Sequence, residues 1–81
     1  MATAFKTVIS RVDGPLFDGD VVSITCPGRE GEVTIMAGHE PFITVLKKGT
    51  ITVRPHNSDA TTFPVEQGIL EVTPDAATVL L

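Results

Sequence analysis

The chain has 81 residues, a formal net charge of −4, one cysteine and a hydrophobic share of 42%. This length predicts a single domain over residues 1–81, and the lone cysteine excludes an internal disulfide and is typical of a reducing compartment. An acidic chain whose basic residues are scattered lacks the basic face that nucleic-acid binding needs. No apolar run approaches the ~18 residues of a membrane-spanning helix, so we predict no direct membrane insertion.

Apolar and polar residues alternate with a period of two along most of the chain, which is typical of half-buried strands. In chain order the alternation covers residues 22–26, 50–54, 61–66, 69–73 and 77–81. Turn signals rich in glycine, proline and aspartate separate these segments roughly every eight to twelve residues, as in an antiparallel sandwich or barrel. The sequence therefore predicts an all-β domain that is a monomer in isolation.

The alternation also predicts which side chains form the core. One segment, residues 42–46, is apolar on both faces, so it lies either in the core or on a contact surface. Pro64 inside a strand indicates an edge or bulge, because proline cannot donate to the ladder. The predicted core residues are Phe5, Val8, Phe17, Val22, Ile24, Val33, Ile35, Ile51, Val53, Phe63, Leu70, Val72, Val79 and Leu80.

Cys26 with His39 or His56 supplies the residue types of a thiol nucleophile. Cys26 continues the alternation of Val22 and Ile24, however, which favours a buried and inert thiol. The spacing of the cysteine and the two histidines does not match a metal site. The stretch from Gly28 to Gly31 lacks the end of a phosphate loop. We therefore predict no metal and no cofactor.

The polar residues of the glycine-rich stretch allow two interpretations each. Glu30 and Glu32 are either paired acid–base carboxylates or, as is far commoner, solvated loop residues. His39, between Gly38 and Glu40, is expected to have a specific hydrogen-bonding role, and the sequence leaves open whether that role is structural or at an interface.

Several short motifs follow one another along the chain: Phe17-x-Gly19, Pro27-Gly28-x-x-Gly31-Glu32, Gly38-His39-x-Pro41, Leu46-Lys47-x-Gly49 and Gly68-Ile69-Leu70-Glu71-Val72-x-Pro74. In this order they resemble the N-terminal domain of the epsilon subunit of F-type rotary ATP synthases. The segment from Ala77 to Leu80 resembles the last strand of the same domain. The resemblance covers essentially the whole chain.

This resemblance implies a flattened β-sandwich at the cytoplasmic face of the bacterial inner membrane, in the central rotor stalk. It implies a noncatalytic subunit without a cofactor that binds the gamma subunit and the polar loops of the c-ring, and helps to couple proton-driven rotation to ATP synthesis. It directs one loop toward the ring, with a histidine near the same end: Arg29, Glu30, Gly31, Glu32 and His39. Independently of the resemblance, the conformational properties of glycine and proline predict turn-shaping roles for Gly28, Gly38, Pro41, Gly49 and Gly68.

The chain departs from the family pattern at a few positions. Val12 stands where the family often has proline, Glu40 where it has a small or apolar residue, and Met36-Ala37 where it commonly reads Leu-Pro. Most family members continue into a C-terminal helical hairpin that can inhibit ATP hydrolysis and in some binds ATP. We expect these 81 residues to lack that hairpin, either as a short subunit or as a separated domain.

A second hypothesis belongs to a different class of protein. It is a small β-domain enzyme or ligand-binding module that uses Cys26 and a histidine. The reactivity of the thiol distinguishes the two hypotheses, because a catalytic cysteine requires a lowered pKa.

Overall fold

A computed structural model describes residues 3–81 as an all-β domain, and its extents of 33 × 24 × 19 Å are those of a flattened body. Over that range there is no helix, and so no helix long and apolar enough to cross a membrane. The all-β prediction is confirmed. The strands are β1 (Phe5–Arg11), β2 (Gly14–Val21), β3 (Ser23–Gly28), β4 (Gly31–Met36), β5 (Phe42–Leu46), β6 (Gly49–Arg54), β7 (Thr61–Val65), β8 (Gly68–Val72) and β9 (Ala76–Leu80).

Two tight hairpins use the same turn chemistry. Only two residues join β1 to β2, and Arg29 with Glu30 joins β3 to β4 in the same way. Gly14 and Gly31 follow these links with φ of 143°, a backbone conformation that side-chain-bearing residues rarely adopt. Glycine at these two positions therefore fixes the start of β2 and of β4.

The strands form one strongly curled sheet in the order β2-β1-β9-β8-β5-β3-β6-β7, with β4 paired to β3 alone. β5 and β6 run one after the other along the same edge of β3, with Gly28 opposite Leu46 and Thr25 opposite Thr52. The chain bends between them, at residues 47–49. This bend separates a layer of β2, β1, β9, β8 and β5 from a layer of β4, β3, β6 and β7, which is the layout of a sandwich.

Most strand pairs are antiparallel, as the turn spacing predicts, and the pair of β1 with β9 is parallel. This pair joins the first strand to the last, so no short turn has to connect them and the parallel direction is available. Past the end of β9, the amide of Leu81 donates to the carbonyl of Ser10 at 2.9 Å. The end of the described chain is thus held against β1.

The core lies between the two layers and consists of aliphatic side chains with one aromatic ring. Phe17 and Phe63 pack against it from β2 and β7, with ring centroids 6.1 Å apart, so the far edges of the two layers meet through side chains. The buried apolar residues are Phe5, Ile9, Val21, Ile24, Cys26, Ile35, Leu46, Ile51, Val53, Val65, Leu70, Val72, Ala77 and Val79.

The core prediction is wrong at Val8, Val22 and Leu80. On β1 the buried positions are Phe5, Thr7 and Ile9, so Val8 lies on the opposite face. Leu80 follows buried Val79 and therefore points outward, with 54% of its surface exposed. Val22 falls at the bend between β2 and β3, where the alternation restarts. For Val8 and Leu80 the wrong face of the strand was predicted to be buried, and for Val22 the strand boundary was misplaced.

Thr7 is a polar residue at a core position. It is fully buried, and its hydroxyl has no hydrogen-bond partner in the described part of the chain. An unpaired buried hydroxyl destabilises the folded state by about 1–3 kcal/mol. Valine has nearly the same size and β-branched shape as threonine. It would therefore fit at position 7 and remove the free-energy cost of the unpaired hydroxyl.

We expect Thr7→Val to raise the free energy of unfolding by about 1–2 kcal/mol in urea titrations, because the methyl group replaces an unpaired hydroxyl. Thr25→Val is the matched control, since the Thr25 hydroxyl lies 3.1 Å from that of Thr34 at an exposed position. The control should change stability by no more than about 0.5 kcal/mol. A less stable Thr7→Val variant would show that this hydroxyl is satisfied in solution.

Candidate functional site

The turn of Arg29 and Glu30 lies at one end of the sandwich, called here the hairpin end. This end is formed by the links that precede β2, β4, β6 and β8, together with Leu81. The turn is anchored to the neighbouring strand, because the amide of Arg29 donates to the carbonyl of Val45 at 2.8 Å. The amide of Lys47 donates to the carbonyl of Pro27 at 2.9 Å. The exposed side chains of Arg29, Glu30 and Glu32 thus extend from a fixed backbone.

Three glycines let the strands approach one another at the hairpin end. A Cβ on Gly28 would lie 2.6 Å from the carbonyl oxygen of Gly31, and one on Gly49 would lie 2.8 Å from the Cβ of Pro27. A Cβ on Gly68 would lie 2.6 Å from the carbonyl oxygen of Leu80. Real Cβ atoms do not come this close to backbone, so a side chain at Gly28 or Gly68 would push the strands apart.

His39 lies at the opposite end of the molecule from the Arg29–Glu30 turn. β4 separates them, and its six residues span roughly 17 Å. The loop that contains Gly38, with φ of 85°, His39 and Pro41 packs near the start of β1. The expectation that His39 shares an end with residues 29–32 is therefore wrong, because both motifs flank one extended strand.

The imidazole of His39 packs against the ring of Phe5 edge-to-face, with centroids 5.2 Å apart. Both ring nitrogens are buried, and neither has a hydrogen-bond partner among residues 3–81. The hydrogen-bonding role expected of His39 stays a prediction. What the described residues show is the contact with Phe5, which packs the loop against β1.

An exposed apolar surface crosses β5, β8 and β9 on the outside of the first layer. We call it the apolar face and define it by four side chains: Ile43, Val45, Ile69 and Leu80, which are 68%, 48%, 45% and 54% exposed. Val45, Ile69 and Leu80 lie opposite one another in a continuous cross-strand row. Beside them is a shallow cavity of about 300 Å³, lined also by Leu81 and Gly68. A contiguous apolar patch of this kind marks an interaction surface.

The outside of the second layer is chemically different. There a cross-strand row of threonines runs from β4 to β7 through Thr34, Thr25, Thr52 and Thr62. Threonine suits an exposed strand because its branched Cβ fits the pleat while its hydroxyl contacts water. The contrast shows that an exposed strand face in this domain is not apolar by default. The apolar face is thus a specific feature of one layer.

Few charges are paired. Lys6 Nζ lies 2.6 Å from Asp18 Oδ1 on the exposed surface of β1 and β2, and this contact raises the pKa of Lys6. Within residues 3–81 no salt bridge involves Glu30, Glu32 or Glu40, all of which are exposed. These three carboxylates lie at the two ends of β4. Arg29 lies beside Glu30 in the same turn, whereas Glu40 has no lysine or arginine neighbour in the loop of residues 37–41.

Cys26 is fully buried in the core, as the alternation predicts. Burial raises the pKa of its thiol to about 12, the opposite of what a nucleophilic cysteine requires. In the described region no group of three or more histidine, cysteine, aspartate or glutamate side chains is arranged to hold a metal ion. The candidate site is therefore a contact surface made of the apolar face and the hairpin end.

Sequence reasoning missed Ile69 and Leu80 as surface residues of the candidate site. The alternation could have identified them. Ile69 precedes buried Leu70 and Leu80 follows buried Val79, so both side chains must face outward. The segment of residues 42–46 had been left between core and contact surface. The structure resolves this, with Ile43 and Val45 exposed and Leu46 buried.

We expect Cys26 in the folded protein to react with a soluble disulfide reagent at pH 8 about a thousandfold more slowly than in urea. A pKa raised from 9.0 to about 12 lowers the thiolate fraction by about that factor, and burial restricts access further. The rate should rise as pH rises toward 12. Rapid reaction of the folded protein at pH 8 would instead support a catalytic thiol.

Comparison with known proteins gives a family match over nearly the whole chain. Residues 4–81 match the family described as "ATP synthase, Delta/Epsilon chain, beta-sandwich domain". The chain is 38% identical over 80 residues to ATP synthase epsilon chain 1 of Methylococcus capsulatus, covering 99% of this chain and 57% of that protein. It is 35% identical to the ATP synthase epsilon chain of Mesorhizobium japonicum, covering 59% of it. The chain thus spans a little over half the length of these relatives.

Solved structures show the same fold. A chain in the mitochondrial ATP synthase of Euglena gracilis (OSCP/F1/c-ring) superposes with a TM-score of 0.87 at 22% identity, over 99% of this chain and 52% of that one. A chain in the central stalk/c-ring structure of the Tetrahymena thermophila mitochondrial ATP synthase gives a TM-score of 0.76 at 15% identity, over 98% and 63%. At these identities, the likeness establishes the fold alone.

Proposed function

Because the chain belongs to the ATP synthase delta/epsilon chain β-sandwich family, we propose that it is a noncatalytic subunit of the central rotor stalk of an F-type ATP synthase. The observation that carries this proposal is the apolar face, because a surface of that kind in a small domain calls for a protein partner. Its place would be at the cytoplasmic side of a bacterial membrane, as part of the proton-translocating complex. There it would help to couple rotation to ATP synthesis.

The gamma subunit is the partner that we propose for the apolar face. A lasting stalk contact must transmit torque, and permanent interfaces of this kind are larger and more apolar than transient ones. Val45, Ile69 and Leu80 form the centre of such a patch, and the adjacent cavity offers a place for one apolar side chain of the partner. Burying these side chains would supply the main part of the binding free energy.

The hairpin end is the surface that we propose for the polar loops of the c-ring. Arg29, Glu30 and Glu32 are exposed there, and Gly31 sets the direction of the turn. Exposed charge pairs contribute only ~0.2–1 kcal/mol each, so the shape of the turn matters more than any one charge. His39 is not included in this contact, because it lies beyond the far end of β4.

The alternative of a thiol enzyme or ligand-binding module has no observation in its favour. Cys26 is enclosed by the core, His39 packs on Phe5, and His56 lies in the exposed link between β6 and β7. The structure does not bring the cysteine together with a base on any surface. A noncatalytic role is therefore the better supported proposal.

If the apolar face binds the gamma subunit, a charged residue placed on it should weaken that binding. Ile69→Glu should weaken binding of the gamma subunit by at least about a hundredfold, because a partner would then have to bury an unpaired carboxylate. Thr52→Glu, in the middle of the second layer's outer face, is the matched control and should leave the affinity within about twofold. The measurement is calorimetric titration of each variant with purified gamma subunit.

Circular dichroism and thermal unfolding should show that both variants retain the native fold, since both positions are on outer faces. Equal affinity of Ile69→Glu and wild type would place the gamma contact elsewhere. Weakening by Thr52→Glu alone would assign it to the threonine face.

The hairpin end generates a second prediction. Gly31→Val should reduce ATP-driven proton pumping of the reconstituted enzyme more than Glu30→Gln, because valine disfavours the φ of 143° that orients the turn. Glu30→Gln keeps the backbone and removes one exposed charge. Fluorescence quenching in membrane vesicles measures the pumping, with assembly of the enzyme checked in parallel.

Cysteines placed at positions 30 and 32 should cross-link to cysteines in the c-ring loops, whereas one at position 39 should not. If position 39 cross-links to the ring and positions 30 and 32 do not, the orientation proposed for the domain is inverted.

A further inference from the structure

β4 has one edge without a partner. It pairs with β3 along all six of its residues and with no other strand. The carbonyl of Pro27 on β3 accepts a hydrogen bond from the amide of Lys47, so it points away from β4. Glu32 lies opposite Pro27, and this pair is therefore one of the pairs of the ladder that exchange no backbone hydrogen bonds. By the two-residue period, the amides and carbonyls of Glu32, Thr34 and Met36 all point outward. No backbone partner for them exists in the described chain.

The edge strands β2 and β7 each carry a proline that hinders strand addition, and β4 carries none. β2 has Pro15 beside a register shift between Ile9 and Ser10, and β7 has Pro64. Proline and bulges are the usual means by which proteins protect exposed edges. β4 runs from Gly31 to Met36 with no proline or bulge, and its one charged residue is Glu32. Met36 is 61% exposed at this edge.

The position and charge of β4 indicate what covers it. The loop of residues 37–41 joins β4 directly to Phe42 and Ile43, so the end of β4 connects to the strand that carries part of the apolar face. A partner seated on that face is within reach of the edge. Glu40, beyond the end of β4 that is away from the hairpin end, is exposed and forms no salt bridge in the described residues, which favours a segment with a basic side chain there.

We propose that β4 is a strand-addition site: an extended, basic segment of the subunit that docks on the apolar face adds to the sheet beside Glu32, Thr34 and Met36. Main-chain hydrogen bonds would hold the segment, and Glu40 would favour a basic side chain on it. This inference rests on the proposed function, because it assigns the segment to the stalk partner.

The first test is amide hydrogen exchange by NMR on the wild-type chain, alone and with purified gamma subunit. In the free protein, the amides of Glu32, Thr34 and Met36 should exchange rapidly, while those of Val33 and Ile35 are protected by β3. On binding, exchange at Glu32, Thr34 and Met36 should slow by at least about tenfold, which reflects new main-chain hydrogen bonds. A partner confined to the apolar face would leave these rates unchanged.

The second test uses proline at two matched positions. Thr34→Pro removes one outward amide of β4 and no backbone bond to β3, and it loses only the exposed side-chain hydrogen bond to Thr25, so the free domain should fold. Thr62→Pro removes one outward amide at the opposite edge, on β7, where it shares the orientation of Pro64 and the same threonine row. Thr34→Pro should weaken binding of the gamma subunit by about tenfold or more, and Thr62→Pro by less than about twofold.

The outcomes separate the two proposals. If the wild-type chain binds gamma and the exchange at Glu32, Thr34 and Met36 is unchanged, the edge proposal is wrong and the stalk function stands. If the chain does not bind gamma at all, both are wrong. Should Thr34→Pro prove unfolded by circular dichroism, the exchange data on the wild type still decide the question.

Discussion

The fold depends on how closely two layers can meet where β5 passes into β6. A single cross-strand row at this corner reads Gly31, Gly28, Leu46 and Gly68, so three of its four members have no side chain. Leu46 fills the space that the glycines leave and is almost completely buried. Because a Cβ on Gly28 or Gly68 would overlap backbone, larger residues there would open the corner. The glycine-rich motifs are thus requirements of packing before they are requirements of function.

That corner also determines what the surface can do. By holding β5 against β8 on one side and against β3 on the other, it turns Ile43 and Val45 outward beside Ile69. The same corner fixes Arg29 through its bond to Val45, so the polar hairpin end and the apolar face are parts of one rigid unit. If the domain passes torque between two neighbours, as proposed, such a connection between its two contact surfaces would serve that role.

Much of this architecture could be predicted from the sequence, since the period-two alternation and the turn residues identify strands of the correct kind. The alternation even identifies the apolar face, because Ile69 and Leu80 each neighbour a buried residue. The alternation could not show which face of β1 is buried, because Thr7 is a polar residue at a core position. Nor could motif order reveal that His39 and Glu30 lie at opposite ends, because that depends on β4 being fully extended.

The free edge of β4 follows from pairing, which local patterns do not encode. In sequence, β4 resembles its neighbours, with alternating Val33 and Ile35, and only the register with β3 shows which amides remain unused. Proline and charge are among the means by which proteins protect such an edge; β2 and β7 carry proline, whereas β4 carries only the charge of Glu32. The loop after β4 leads into β5, which carries part of the apolar face. Edge and apolar face are therefore best understood as one interface, in which side chains supply affinity and main-chain pairing fixes orientation.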